Sequence, residues 1–566
     1  MKRPVIAIGL DAADPVLLER LMDQGYLKNL ATLRQQGAYG RLRTQFDLCG
    51  EPVDSICSER NWVIFSTGCL PSKTGYWDTA KYHADSYQVT QDRTDEGQSL
   101  GYDYKEFKAF YDFDPNYQIG LFDVPMSGVS EDFNGVEIAV WGGHSGSHMD
   151  PRSTPTSLLP DINKKYGRNP LFKRDFGVWW DPNYLEWIQK AVADSASTRS
   201  KICRDFLKQK PWDLFITVFG ETHSAGHDLL HFSEVDHPLH PDSANNSANN
   251  PMIKAVQAVD QAVGEIIADL PQDAYVVVFG VHGITNNMAD LCNMAFLPEL
   301  LYRYNFPGKA GIALGKLDTT PPAQIANPKR KTWPGEVWQE RYGVNPIKRL
   351  FHRWTPSKFD KVLNSGPEPA LDSPYEMLKQ GEDLAWMPNM WYQRLWPEMK
   401  AFVLPGVAEG FIRINLEGRD RDGFVKPSEY ESICDELTEI LYRLTDARTG
   451  QPIVKSVART RPAGDYGDEK RPDADLVVSW HNNPTDVIDS PDLGRIGPLT
   501  YYRPGGHTSR GFVMAKGPGI EAGSDLPEGQ AIDLAPTILG LMDAPIPQHL
   551  DGQSLIQRTA PTAVSS

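Results

Sequence analysis

The strongest constraint on the fold is a set of unbroken apolar runs, each ending where glycine and chemically reactive residues begin: VIAIGL (5–10) before Asp11, DLFITVFG (213–220) before Glu221 and His223, and AYVVVFG (274–280) before His282. Apolar runs without polar alternation are what strands need when both faces of the sheet are covered, as in parallel α/β proteins. Each run is spaced for a helix beside it. After VIAIGL, Asp14 suits an N-cap, Pro15 the first helical position and Gly25 the stop. Before AYVVVFG, Met252, Val256, Val259, Val263, Ile266 and Leu270 fall on one helical face. We expect an α/β fold with a doubly wound, mostly parallel sheet and helices on both faces. GFIRINL (410–416), ADLVVSW (474–480) and GFVMAKG (511–517) are expected to add strands to it.

The chain's 566 residues exceed what one core organises. Residues 1–306 and 405–566 read as a catalytic core. The Pro- and Trp-rich segment 307–404 reads as an inserted lid or cap, and 233–251 as a polar loop. Between Lys329 and Lys361 nine Lys or Arg face three Asp or Glu. That local excess suits either a solvated face or a lid that attracts an anionic substrate. A net charge of −17 argues against a nucleic acid polymer as partner. No apolar stretch is long enough for a membrane span, and Asp11 interrupts the first apolar run before a secretory signal could form. Six cysteines without CxxC spacing signal neither a disulfide framework nor a cysteine metal site, so a cytoplasmic location is expected.

Ligands of open α/β sheets bind beyond the carboxyl ends of the strands, so the residues just past each run are the candidates. Asp11, Glu221, His223, His227 and His282 meet that condition, and imidazole favours zinc and related ions. His231 and His237 follow in the same stretch and are as readily structural as ligating. In CSERNWVIFSTG, Ser58 precedes an apolar helix. It could be an N-cap, a nucleophile, or both, because a helix N-terminus also favours an anion. Arg60 and Asn61 lie within one turn and could donate to phosphoryl oxygens. His507 sits in a Gly-rich loop before the last apolar run.

Taken in order, GLDAADPVLLERLMDQGYLKNLATLRQQGAYGRL, SERNWVIFSTGCLPSKTG, VDQAVGEIIADLPQDAYVVVFGVHG, INLEGRDRDGFV, GHTSRGFVMAKGPGI and IDLAPTILGLMDAPIPQHLDGQSL resemble the alkaline phosphatase superfamily, especially its type I phosphodiesterase and nucleotide pyrophosphatase branch. The resemblance implies Asp11 as a metal ligand and Ser58 as the nucleophile, where that branch commonly has threonine, with Asn61 holding the phosphoryl group. Its Asp-x-x-x-His pair falls on His223 and His227, its Asp-His pair on Val281 and His282, and its late histidine on His507. Two carboxylates are therefore replaced, with Glu221 or Asp14 as the available substitutes. CLPSK at Cys69 is superficially similar to a sulfatase motif, but it follows the TG turn instead of preceding it.

The expected function is metal-dependent hydrolysis of a small anionic phosphate ester, a diester before a monoester, by in-line attack of Ser58 through a phosphoseryl intermediate. Phosphonate or sulfate ester hydrolysis, or a non-catalytic binding module, are the alternatives. A tight zinc-type site at His223, His227 and His507 is expected beside a weaker one, open to Mn or Mg, at Asp11, Ser58 and His282. Glu221 is expected to restore charge there from the same side of an extended strand as His223.

Overall fold

The computed structural model describes residues 3–91, 101–142, 149–174, 178–241, 250–342 and 371–556. Strand Val5–Leu10 lies at the centre of an eight-stranded sheet, parallel to Leu214–Phe219 on one side and to Tyr275–Gly280 on the other. Beyond Leu214–Phe219 come Ile119–Phe122 and Gly135–Ala139, both parallel, then the antiparallel edge Arg152–Thr154. On the other side Arg510–Lys516 and Ala38–Arg43 close the sheet antiparallel.

Every residue of the three central strands is buried, as continuous apolar runs require. Their side chains divide by the two-residue period of a strand. Ile6, Ile8 and Leu10 pack with helices Pro15–Asp23, Lys28–Gln36, Pro182–Gln209 and Pro251–Ala268. Val5 and Ala7 pack on the opposite face with helices Ser58–Thr67 and Leu534–Leu541. The fold is thus α/β, with a mostly parallel sheet covered on both faces. Asp14 caps the first helix through Val16 N–H, 2.9 Å away, with Pro15 as its first residue.

Two expected strands do not join this sheet. Gly410–Ile414 and Leu476–Trp480 pair with each other and with Ala401–Leu404 and Val454–Arg459 in a separate four-stranded antiparallel sheet. The apolar sides of these strands pack against helix Tyr430–Tyr442 and against Trp333, Trp338, Trp391 and Trp396 in a second hydrophobic core. Met294–Tyr302 and Phe411–Tyr501 contribute to that core as well. Only the last expected strand, Arg510–Lys516, returns to the main sheet. Most of the basic stretch, from residue 343 to Lys361, lies outside the described residues, as does 242–249 of the polar loop. Among the described residues, no helix is long and apolar enough to cross a membrane.

Candidate metal centre and nucleophile helix

Strand register assembles the site. Gly9 lies opposite both Val218 and Phe279, so three adjacent parallel strands end at the same level. Asp11, the helix Glu221–Leu229 and His282 therefore emerge side by side. The turn after Asp11 places Ala12 in the left-handed region at φ +54°, a conformation that costs a non-glycine residue about 1–3 kcal/mol. Thr222 Oγ holds this turn by donating to the Asp11 carbonyl at 2.6 Å. His507 arrives differently. Gly283–Asn286 pairs antiparallel with Gly505–Thr508, placing His507 opposite Ile284. Gly505 is required there, because a Cβ would collide with the Gly226 carbonyl of the packed helix.

His223 and His227, four apart on one helix, turn to the same side. His223 Nε2 is 2.8 Å from His227 Nε2 and 3.1 Å from His507 Nε2. The far nitrogens are committed: His227 Nδ1 donates to the Gly505 carbonyl at 2.8 Å, and His223 Nδ1 lies 2.7 Å from Asp11 Oδ2. A carbonyl only accepts, so His227 Nδ1 carries the proton and Nε2 presents its lone pair. The same tautomer follows for His223 against the Asp11 carboxylate. Lone pairs facing each other at 2.8 Å repel unless a cation lies between them, so this donor set fits a metal ion. His507 is held neutral, its pKa well below the usual histidine value, first by burial and then by His223, His282 and Arg503. A second group with metal-ligand spacing, Asp11, His223 and His282, shares His223 with the first. Its His282 Nε2 is 3.7 Å from Asp11 Oδ1.

Helix Ser58–Thr67 is tied to this centre by Trp62 Nε1, which donates to Asp11 Oδ1 at 2.8 Å. Ser58 is its first residue and is buried; the N-cap is Cys57, not Ser58, and no side chain caps the helix. Asn61 donates from Nδ2 to the Ser55 carbonyl at 2.9 Å. Arg60 does not turn toward the centre. Its guanidinium, 1% exposed, is taken by Glu409 at 2.5 Å, the Trp77 carbonyl and Ser55 Oγ. It fastens the helix to the second lobe.

Glu221 also departs from expectation. It begins a helix instead of continuing an extended strand, and it lies 3.1 Å from Arg199 with Ser195 Oγ donating to it at 2.5 Å. Arg199 in turn holds Asp123 at 2.7 Å. Glu221 is thus consumed by a buried cation behind the site. Asp14 is no substitute ligand either, because Arg510 grips its carboxylate at 2.7 Å. Val281 is fully buried in the core. His231 and His237 stand apart: His237 Nε2 donates to the Pro504 carbonyl at 3.2 Å, and the His231 ring lies tilted against Phe232. Cys69 is a core residue, its thiol facing the Thr67 and His549 carbonyls.

One residue went unread in the sequence. Arg503 Nη1 is 2.7 Å from His227 Nε2, while its Nε donates to Asp290 Oδ2 at 2.8 Å. Burial lowers its pKa, but Asp290 more than compensates, so it stays charged. Its position four residues before His507 was a visible signal; Asp290 carries none. Arg503, Asp290, His507 and Gly506 border a cleft whose other walls are Ile56, Met288, Ala289, Val407 and Ala408.

No curated protein matches the chain. Solved structures with a similar course of chain include wild-type alkaline phosphatase PafA (13% identity, 98% of this chain and 99% of that chain covered, TM-score 0.47). Phosphonoacetate hydrolase from Sinorhizobium meliloti 1021 in complex with phosphonoformate is another (12%, 96% and 96%, 0.42). A third is murine ectonucleotide pyrophosphatase/phosphodiesterase 5 (12%, 97% and 97%, 0.43). The family model described as type I phosphodiesterase/nucleotide pyrophosphatase matches residues 5–335, the stretch that carries Asp11, Ser58, His223, His227 and His282, and the chain belongs to that family of phosphoester hydrolases.

Proposed function

We propose that the protein is a metal-dependent phosphodiesterase with Ser58 as its nucleophile. The observation that carries this reading is the convergence of the His223, His227 and His507 Nε2 atoms, two of them with Nδ1 already anchored, next to Asp11, to which Trp62 ties the helix that begins with Ser58. A divalent ion bound there, zinc by its preference for three imidazoles, supplies a Lewis acid that polarises a phosphoryl oxygen and acidifies water. Asp11 fixes the tautomer of His223 and, with His282, forms the weaker side of the site, where Mn or Mg would suffice. The amides and dipole at the start of the Ser58–Thr67 helix favour the serine alkoxide and the phosphoryl anion.

Attack by Ser58 Oγ forms an Oγ–P bond and breaks the P–O bond to the leaving alcohol, which departs on the opposite side. The resulting phosphoseryl ester keeps the remaining ester group, and water then releases it. Preference for a diester rests on the family description, and a cytoplasmic location on the sequence reading above.

The test compares bis(4-nitrophenyl) phosphate, 4-nitrophenyl phosphate, an aryl phosphonate and an aryl sulfate, each with Zn, Mn and Mg. Intact mass after acid quench follows the adduct. We expect the diester to be fastest and an adduct on Ser58 that Ser58→Ala lacks. Sulfate as the only substrate, or wild-type turnover by Ser58→Ala, overturns the proposal. A binding module would hold metal and phosphate and never form the adduct.

A further inference from the structure

We propose that Arg503 is the anion receptor of this site. The inference rests on the phosphodiesterase reading and names a residue that binds the phosphoryl group of its substrate. Arg503 is positioned for this by three contacts. Asp290 takes Nε, which fixes the guanidinium plane, and Asn287 Nδ2 donates to the same Asp290 oxygen at 2.6 Å and to the Arg503 carbonyl at 3.0 Å. The following Pro504 carbonyl accepts from Asn287 N–H at 2.8 Å and from His237. The loop is therefore rigid, and Nη1 is aimed at the three-histidine cluster.

In that position Arg503 has two competing partners. The His227 Nε2 lone pair accepts from Nη1 in this structure, and the same lone pair is the one a metal ion would take. Once it is taken, the Arg503 donors facing the cluster need an acceptor that tolerates a cation nearby. A nonbridging phosphoryl oxygen is such an acceptor, because guanidinium binds phosphate through charged, directional hydrogen bonds. Arg503 thereby supplies, as a fixed positive charge, part of what an ion at the weaker Asp11 and His282 side would contribute. The loss of a carboxylate at Val281 and its replacement at His223 reduce the negative charge available to hold that metal.

The experiment uses the full chain loaded with zinc and measures inorganic phosphate binding by calorimetry, which needs no turnover. Zinc affinity of the stripped protein is measured in parallel. We expect Arg503→Met to weaken phosphate by about ten- to a hundredfold, the scale of a charged hydrogen bond, while zinc binds as tightly as in the wild type or tighter. The double variant Arg503→Met/Asp290→Asn, which leaves no buried unpaired charge, should behave the same way. Wild-type phosphate affinity in the folded variants overturns the inference while the phosphodiesterase reading stands. Absence of both phosphate binding and turnover in the wild type overturns both.

Discussion

His223 Nδ1 lies 2.7 Å from Asp11 Oδ2 while its Nε2 faces His227 and His507, so one imidazole joins the carboxylate at the central strand end to the three-histidine cluster. Where the family resemblance puts an aspartate with its own charge, a neutral ring stands here, with the charge of Asp11 behind it. Asp11 therefore acts on the cluster through the proton on His223.

Asp11→Asn tests that role. An amide can offer N–H to His223 Nδ1 and so stabilise the tautomer that carries its proton on Nε2, the wrong one for a ligand. Zinc affinity of stripped protein, measured against a competing chelator, should fall by about ten- to a hundredfold. An unchanged affinity would show that His223 needs no orientation from Asp11.

Ser58→Ala should abolish turnover and leave the melting temperature nearly unchanged. Ser58 makes no capping hydrogen bond, since the cap position belongs to Cys57, so the loss of about 1 kcal/mol that accompanies removal of a capping hydroxyl does not apply. Thermal unfolding of both proteins, run beside the activity assay, checks the two halves together.

Glu221→Gln should act on stability and spare metal binding. Removing one member of a buried pair costs about 3–5 kcal/mol because it strands the other charge, and Asp123 still facing Arg199 places the expected loss near the lower end. Urea unfolding should shift its midpoint down while the metal titration stays where it was. A weakened metal site with unchanged stability would reverse this assignment.

Stability should also decline with acid through His231 and His237. Burial lowers His231 to about 3, with His237 and His240 adding to the effect, and burial likewise lowers His237 to about 4. An unfolded histidine titrates near 6.5, so between about pH 6.5 and these values the unfolded chain binds more protons than the folded one. Their contribution is complete above pH 6.5 and is lost as pH falls toward 4 and 3. Unfolding midpoints from pH 7 to pH 4 should decrease, and His237→Gln should flatten the decrease. A slope identical to wild type would assign it to other groups.

The sequence by itself determined the sheet class and the strand ends, because a strand buried on both faces must be apolar throughout and the first residue beyond it is free to be chemical. VIAIGL, LFITVF and YVVVFG behaved in this way, and Asp11, His223, His227 and His282 were legible for that reason. Strand pairing was not legible. GFIRINL and ADLVVSW have the same local character as the core strands, and only the second core built around Trp338, Trp391 and Trp396 decides that they leave the main sheet. The fates of Arg60, Glu221 and Arg503 were also tertiary decisions. A charged side chain beside a site serves the chemistry only if no opposite charge claims it first, and the claimants Glu409, Arg199 and Asp290 lie 349, 22 and 213 residues away along the chain. For Arg60 and Glu221 the buried partner consumes the charge; for Arg503, Asp290 holds one edge of the guanidinium and leaves Nη1 facing the histidines.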